Sequence, residues 1–371
     1  MSLSPTAIVI GTGVAGASTG FALARRGVDV TLIESGFEAP ATAAGAGIIQ
    51  PWSSAVDGEY YRYYAEGADF YDELIPRLAE VGVDDIGYRQ SGALVVNRDS
   101  SLLDEVEDRV HSRIGDARLA GEVSRVSESR AKELFPPLGA GFKGLHISGG
   151  ARVDGRVLRQ GLLNAVERLG GRIIAGEATL EPTPEGNWVA MLGGRRFEAD
   201  SIVIAAGAWT NRLLERLGKR VSIEPQRGQI THLRVETADT RLWPSVHPMS
   251  GHYMLAFDDS RVVVGATREP GTGFDPRVTA AGQREVLENA LAVAPGLADA
   301  TLIETRVGLR PMPEGTLPVV GAIDGMAGVY INAGFGAGGL TMGPIVGDRL
   351  AAIILGETDA PSEGILSPVR L

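Results

Sequence analysis

The residues best equipped for chemistry come early in the chain. Gly11-x-Gly13-x-x-Gly16 follows an apolar, β-branched run at 7–10 and opens a helical stretch, the setting in which glycines at this spacing bind a dinucleotide. Gly11 permits the tight turn, Gly13 lets a pyrophosphate approach the backbone, and Gly16 allows close helix–strand packing. The helix start adds free N–H groups and the positive end of its dipole. Glu34 closes the next strand, 18 residues beyond Gly16, where a carboxylate can accept hydrogen bonds from an adenosine ribose. An acid there argues against a 2′-phosphate and leaves NAD and FAD both open. Other chemistries are excluded by composition. With no cysteine there is no disulfide, thiolate zinc site, iron–sulfur cluster or cysteine nucleophile. The five histidines (His111, His146, His232, His247, His252) fall at no zinc-ligand spacing, so no metal site is expected.

Certain elements must position these residues. The pattern predicts a strand at 7–10, a helix running to Arg26 with Gly27 as its cap, and a second strand at 28–33: one βαβ unit. Positions 39–47 carry no charge, unusual for a solvated loop, and a helical segment follows over 58–81. Further on come a strand at 93–97, a helix at 156–169 and a strand at 171–180. A buried strand from 202 ends at Gly207. Antiparallel strands are predicted at 229–235 and 261–264, a helix at 280–293, a strand at 329–333 and a closing helix at 339–355. Strand-end glycines this far apart imply one cofactor domain assembled from separated pieces, with a second domain inserted. A length of 371 residues suits two cores. The net charge of −11 argues against a nucleic-acid partner. The longest apolar candidate, 340–355, is interrupted by Asp348 and Arg349, so no membrane span is expected. Only 1–6 precede the first strand, leaving no room for a signal peptide, and a cytoplasmic location is expected.

Further motifs distinguish the two cofactors. The chain resembles the D-amino-acid oxidase superfamily of flavoproteins, which includes glycine oxidase, sarcosine oxidase and D-amino-acid dehydrogenases. The resemblance rests on 7–35, Ala44-Gly45-Ala46-Gly47-Ile48-Ile49, Ile202-Val203-Ile204-Ala205-Ala206-Gly207-Ala208-Trp209 and Pro225-Gln226-Arg227-Gly228-Gln229. It continues through Val263-Val264-Gly265-Ala266-Thr267, Gly308-Leu309-Arg310-Pro311, Gly334-Phe335-Gly336-Ala337-Gly338-Gly339-Leu340-Thr341 and Leu366-Ser367-Pro368-Val369-Arg370. It implies an α/β fold with a Rossmann-like FAD-binding domain of discontinuous segments (1–85, 145–220, 300–371). An inserted antiparallel-sheet substrate domain (86–144, 221–299) completes it. FAD would lie extended, with its pyrophosphate on Gly11, Gly13 and Gly16 and its ribose on Glu34. Ala46 and Gly47 would pass beside the isoalloxazine, and Thr179 would hold the adenine through its backbone. Ala206, Gly207 and Trp209 would approach the cofactor. Gly336, Gly338, Gly339, Leu340 and Thr341 would open the last helix towards the flavin pyrimidine, whose reduced form carries negative charge that helix-end donors stabilise. Without cysteine or an early histidine, the FAD is expected to be noncovalent.

The same resemblance assigns the substrate site. Arg310 matches the arginine that anchors a substrate carboxylate, a role suited to a bidentate, always-charged fork. Tyr253 matches a tyrosine whose hydroxyl contacts substrate, and Ile48 would form an apolar wall. Arg268 departs from the pattern, since glycine oxidase carries an apolar residue there. It could bind a second carboxylate or a polar side chain, or point to solvent. His252 reads as a hydrogen-bonded strand histidine. No lysine falls near 261–264, where sarcosine oxidases hold one over the flavin, so the acceptor stays open between oxygen and a quinone or carrier. The expected activity is oxidation of glycine or a D-amino acid by hydride transfer from Cα to flavin N5, the imino acid hydrolysing to a 2-oxo acid and ammonia. Alternatives are a 2-hydroxy-acid oxidoreductase or a non-catalytic FAD-binding subunit of a larger dehydrogenase. Homo-oligomerisation is common among such proteins.

Overall fold

A computed structural model describes residues 4–236 and 239–371. The segment expected ahead of the first strand lies partly outside them, at Met1, Ser2 and Leu3. The first strand, Thr6–Ile10, sits near the middle of a six-stranded sheet. In spatial order the strands are Val319–Ala322, Val329–Ala333, Ser201–Ile204, Thr6–Ile10, Asp29–Glu34 and Arg172–Ala175. All neighbours are parallel except Val319–Ala322, which pairs antiparallel at the edge. Ser201–Ile204 is buried along its whole length, as a strand covered on both faces must be. The helices Val14–Arg25, Gly155–Arg168 and Gly339–Ile354 pack together against this sheet. Two contacts hold them close: Gly347 leaves room for the Ser18–Thr19 backbone, and Asn332 Nδ2 donates to Thr19 Oγ1 at 2.8 Å.

The second sheet has eight strands, in the order Thr301–Pro313, Ile223–Arg234, Arg261–Gly265, Tyr253–Ala256, Ser245–His247, Ala93–Asn97, Lys143–Ile147 and Val123–Val126. Its pairs are antiparallel except Ser245–His247 with Ala93–Asn97. Side-chain alternation divides its faces. Val246, Met254, Ala256, Val262 and Val264 enter a core shared with the helix Ala280–Val293. Ile230, Tyr253, Leu255 and Val263 turn the other way, towards Ala46 and Ile48.

Three expectations change. The single strand at 171–180 is two, Arg172–Ala175 and Ala178–Pro182. Gly176, at φ +142°, breaks the run, and the second piece joins a separate three-stranded antiparallel sheet. The helical segment at 58–81 divides at Phe70 into Gly58–Asp69 and Tyr71–Ala79. The boundaries at 145 and 300 do not follow the sheets: Lys143–Ile147 and Thr301–Pro313 both belong to the eight-stranded sheet, because hydrogen-bonded register rather than sequence adjacency assigns them.

His232, 1% exposed on the Ile223–Arg234 strand, is buried neutral. Burial, with Arg306 and Arg261 nearby, pulls its pKa from 6.5 down to about 4. The unfolded chain therefore takes up the proton first, and stability falls as pH drops from about 6.5 towards 4. Urea midpoints at pH 7 and pH 5 should differ, and differ less in His232→Gln. An equal difference in the variant would assign the acid sensitivity elsewhere.

Candidate active site

A cavity of about 750 Å³ runs between the carboxyl ends of the parallel strands and one face of the eight-stranded sheet. Its cofactor half is built on backbone. Gly11 has φ +108°, and a Cβ there would overlap the Ala205 carbonyl, so only glycine fits. A Cβ on Gly16 would overlap the Gly11 carbonyl, which makes its role helix–strand packing behind the cavity wall. Gly13 faces the cavity as N-cap of Val14–Arg25 and has no side chain to occupy the helix end. Val14 N–H donates to Thr42 Oγ1 at 2.9 Å.

Glu34 also lines the cavity, held from three directions. One carboxylate oxygen accepts from Arg159 Nη2 at 2.8 Å and from the Thr12 hydroxyl, and the other accepts from Gly36 N–H at 2.9 Å. Burial alone would raise its pKa. The Thr12, Gly36 and Arg159 contacts outweigh it and hold the carboxyl below its usual range. Arg159 also donates through Nε to the Thr12 carbonyl at 2.7 Å. Sequence reading missed this arginine, since nothing separates it from the others on the Gly155–Arg168 helix.

Ala46, Gly47, Ala206, Gly207 and Trp209 line the cavity as expected. Gly47 has φ +90°, and the Val153 carbonyl fills the space of any Cβ there. Trp209 stacks on Phe37, ring centroids 5.3 Å apart. Thr179 does not reach the lining. It pairs with Met191 in the small antiparallel sheet, and Gly176, Glu177 and Ala178 form the wall instead, because the chain turns away after Gly176. At the last helix Gly336, Gly339 and Leu340 face the cavity, whereas Gly338 and Thr341 stand behind it. Gly338 packs on the Tyr60 hydroxyl, and Thr341 Oγ1 donates to the Ile48 carbonyl at 3.2 Å.

The other half of the cavity brings together Arg310, Tyr253, Arg268 and Ile48. The Arg310 guanidinium lies over Gly228, where any side chain would collide, and donates to Gln226 Oε1 at 3.3 Å and the Thr267 carbonyl at 3.1 Å. Burial, and then the Arg268 charge, weaken its hold on its proton, while Tyr253 works the other way. Burial raises the Tyr253 pKa, and Arg310 and Arg268 offset part of that. Gly265 leaves room for Ile230, whose Cγ2 would lie 2.7 Å from a Cβ there, and for the Tyr253 hydroxyl at 3.3 Å. Arg268 borders the cavity with its Nη1 beside Gly251 but is largely exposed, and it forms no hydrogen bond or ion pair among the described residues. Among the described residues neither guanidinium has an ion pair, though Glu269 acts on Arg310 from a distance, whereas the buried Arg227 is matched by Glu269 and Asp275. His252 is outside the lining and less satisfied than expected, because its Nδ1 is buried without a partner and Nε2 lies 3.7 Å from Glu285. Gln226, inside one of the family motifs but given no role there, lines the cavity, as does His247, which no signal in the sequence set apart.

Comparison with known proteins accords with this geometry. The crystal structure of iminodiacetate oxidase from Chelativorans sp. BNC1 is 46% identical and superposes with a TM-score of 0.94, over 98% of this chain and 99% of that one. Glycine oxidase from Geobacillus kaustophilus superposes with a TM-score of 0.85 at 26% identity, over 96% of each chain. An oxidoreductase of Bacillus subtilis (strain 168) is 45% identical over 355 residues, 94% of this chain and 95% of its own length. If Glu34 holds the ribose, Glu34→Ala should bind FAD roughly 10- to 100-fold more weakly, with Arg159→Ala in between. Titrating apoprotein with FAD by flavin fluorescence measures this, and affinity within twofold of the parent would remove Glu34 from the site. A model of the FAD dependent oxidoreductase family matches residues 6–353, and the chain belongs to that family.

Proposed function

We propose that this protein oxidises a small amino acid, glycine or a D-amino acid, at its Cα–N bond. The observation that carries the reading is the Arg310 guanidinium, which lines the cavity beside Tyr253 and forms no ion pair among the described residues, Glu269 acting on it only from a distance. A half-buried cation left this way calls for an anionic ligand. The lining fits noncovalent FAD: a glycine turn, a helix start without side-chain cap, a fixed acid at the ribose position and a second helix start at Gly339. FAD, when bound, would supply a hydride acceptor for the substrate Cα–H, the amine lone pair completing the C=N bond. Arg310 holds the carboxylate, the Tyr253 hydroxyl makes a second contact, and Ile48 keeps water off one side. The unpaired Arg268 charge favours loss of the ammonium proton, leaving the amine neutral for reaction. Water then hydrolyses the imino acid to a 2-oxo acid and ammonia. The acceptor is oxygen or a quinone or carrier. A chain without cysteine draws nothing from an oxidising compartment, in keeping with a cytoplasmic location. Among the described residues no helix is long and apolar enough to cross a membrane.

One observation favours a second reading of the same site. Arg268, at the exposed margin of the cavity, is a second guanidinium without an ion pair among the described residues, so a ligand with two carboxylates uses both arginines. A secondary amine with two acid arms meets that demand, and the 46% identical relative is an iminodiacetate oxidase. Hydrolysis would then release an oxo acid and a primary amine.

Two substitutions test these roles. Arg310→Ala should keep its FAD spectrum and lose roughly 100-fold or more in kcat/KM for every carboxylate substrate. Unchanged anaerobic flavin bleaching by an amino acid would overturn the assignment. Arg268→Met should raise KM for iminodiacetate about 10-fold or more while sparing glycine. Equal effects on both would return Arg268 to a general electrostatic role.

A further inference from the structure

The cavity extends past the group that would hold a small amino acid. Val246 pairs with Met254, so the antiparallel register sets His247 opposite Tyr253, which in turn pairs with Gly265, and Gly265 with Ile230. Val246 and Met254 enter the core behind the sheet, so His247 shares the front face with Tyr253 and Ile230, and all three line the cavity. The Arg310 guanidinium lies over Gly228, on the same strand as Ile230. Three strand spacings separate that strand from Ser245–His247, about 14 Å. One amino-acid backbone reaches about 3.5 Å, so glycine anchored at Arg310 stops well short of His247. A second acid arm reaches about 7 Å, and the Arg310 and His247 side chains, both lining the cavity, cover the rest of the span between the strands.

The far end is equipped for an acid. His247 Nε2 is 2.9 Å from the hydroxyl of Ser245, which is 1% exposed. Among the described residues its Nδ1 has no hydrogen-bond partner and, unlike Nδ1 of His252, it is not sealed away, so it opens to the cavity that His247 lines. Burial holds the imidazole neutral, its pKa lowered to about 4. When the Ser245 hydroxyl donates to Nε2, the ring proton resides on Nδ1 and points at the ligand. Arg268 reaches the same end, beside Gly251 in the loop joining the His247 and Tyr253 strands.

We propose that His247 is a specificity-determining residue: its Nδ1–H, oriented by Ser245, hydrogen-bonds the distal carboxylate of a substrate whose other carboxylate is on Arg310, with Arg268 supplying the charge. The substrate class is an N-carboxyalkyl or otherwise elongated dicarboxylic amino acid. This inference rests on the amino-acid reading of the cavity and on an acid arm directed away from Arg310.

Sarcosine and iminodiacetate differ only in the carboxylate on the nitrogen substituent, which isolates the contact. With the FAD-loaded enzyme, kcat and KM are measured for both, alongside anaerobic flavin bleaching. In His247→Ala the iminodiacetate-to-sarcosine ratio of kcat/KM should fall about 10- to 100-fold, mainly through KM. His247→Asn, whose amide can replace the Nδ1 donor, should recover most of the loss, and Ser245→Ala should show a smaller fall. A ratio within twofold of the parent in His247→Ala overturns the proposal. So does a fall that Asn does not repair, which would mark a packing role. If His247→Ala cannot retain FAD, the Asn and Ser245→Ala ratios decide in the same way. Should no amino acid bleach the parent flavin, the amino-acid reading itself fails. Bleaching by both substrates with unaltered ratios in the variants removes only the role of His247.

Discussion

The rest of the structure depends on one close approach of backbone to backbone. At Gly11 the chain leaves the first strand and passes so near the Ala205 carbonyl that no side chain is accommodated, and Gly16 then packs its helix onto the same turn. This contact fixes the carboxyl ends of two neighbouring parallel strands, where the strand order of an open sheet leaves a crevice for ligands. Everything on the cofactor side is measured from it: the helix start at Gly13, Glu34 on the adjoining strand, and the Ala206–Gly207 turn.

A second seam sets the substrate face against the cofactor face. The Thr301–Pro313 strand is the edge of the eight-stranded sheet, and the uncharged segment at 39–47 covers part of that edge. Leu309 N–H donates to the Ala39 carbonyl at 3.0 Å, Pro40 bridges to Leu309, and Gly308 leaves room for Ala44. Two residues on, Gly336 N–H donates to the Pro311 carbonyl at 3.0 Å. Arg310 is thus clamped between segments that both belong to the cofactor cavity. Its guanidinium is aimed by a strand whose position the cofactor domain itself sets, which is why the absence of charge at 39–47 has structural meaning.

Electrostatics separates scaffold from site. Arg227, Arg152, Arg261 and Arg159 all meet carboxylates, so their charges are settled within the fold. Arg310 and Arg268 are not compensated this way, and both face the cavity beside Tyr253. For the half-buried Arg310 an unpaired charge is costly unless a ligand completes it, whereas the more exposed Arg268 keeps water until one binds. The same logic, in neutral form, applies to the free Nδ1 of His247.

Much was legible in the residues alone. The glycine turn, Glu34, the uncharged loop, the Ala206–Gly207 strand end and the closing helix follow from backbone sterics and short-range periodicity, which sequence records directly. The family motifs added Arg310 and Tyr253, and the cavity contains both. What the sequence did not carry depends on register between distant strands. Thr179 was misplaced by one turn at Gly176, and Lys143–Ile147 and Thr301–Pro313 fall in the eight-stranded sheet although the strands that follow them do not. Arg159 and His247 gave no local signal, because an arginine or histidine reads the same wherever its side chain ends up. The sequence by itself determined the dinucleotide crevice, since a turn without Cβ atoms is a local property. Only the tertiary structure decided which arginines remain unpaired and which face His247 shares, since those follow from hydrogen-bonded pairing of strands far apart in the chain.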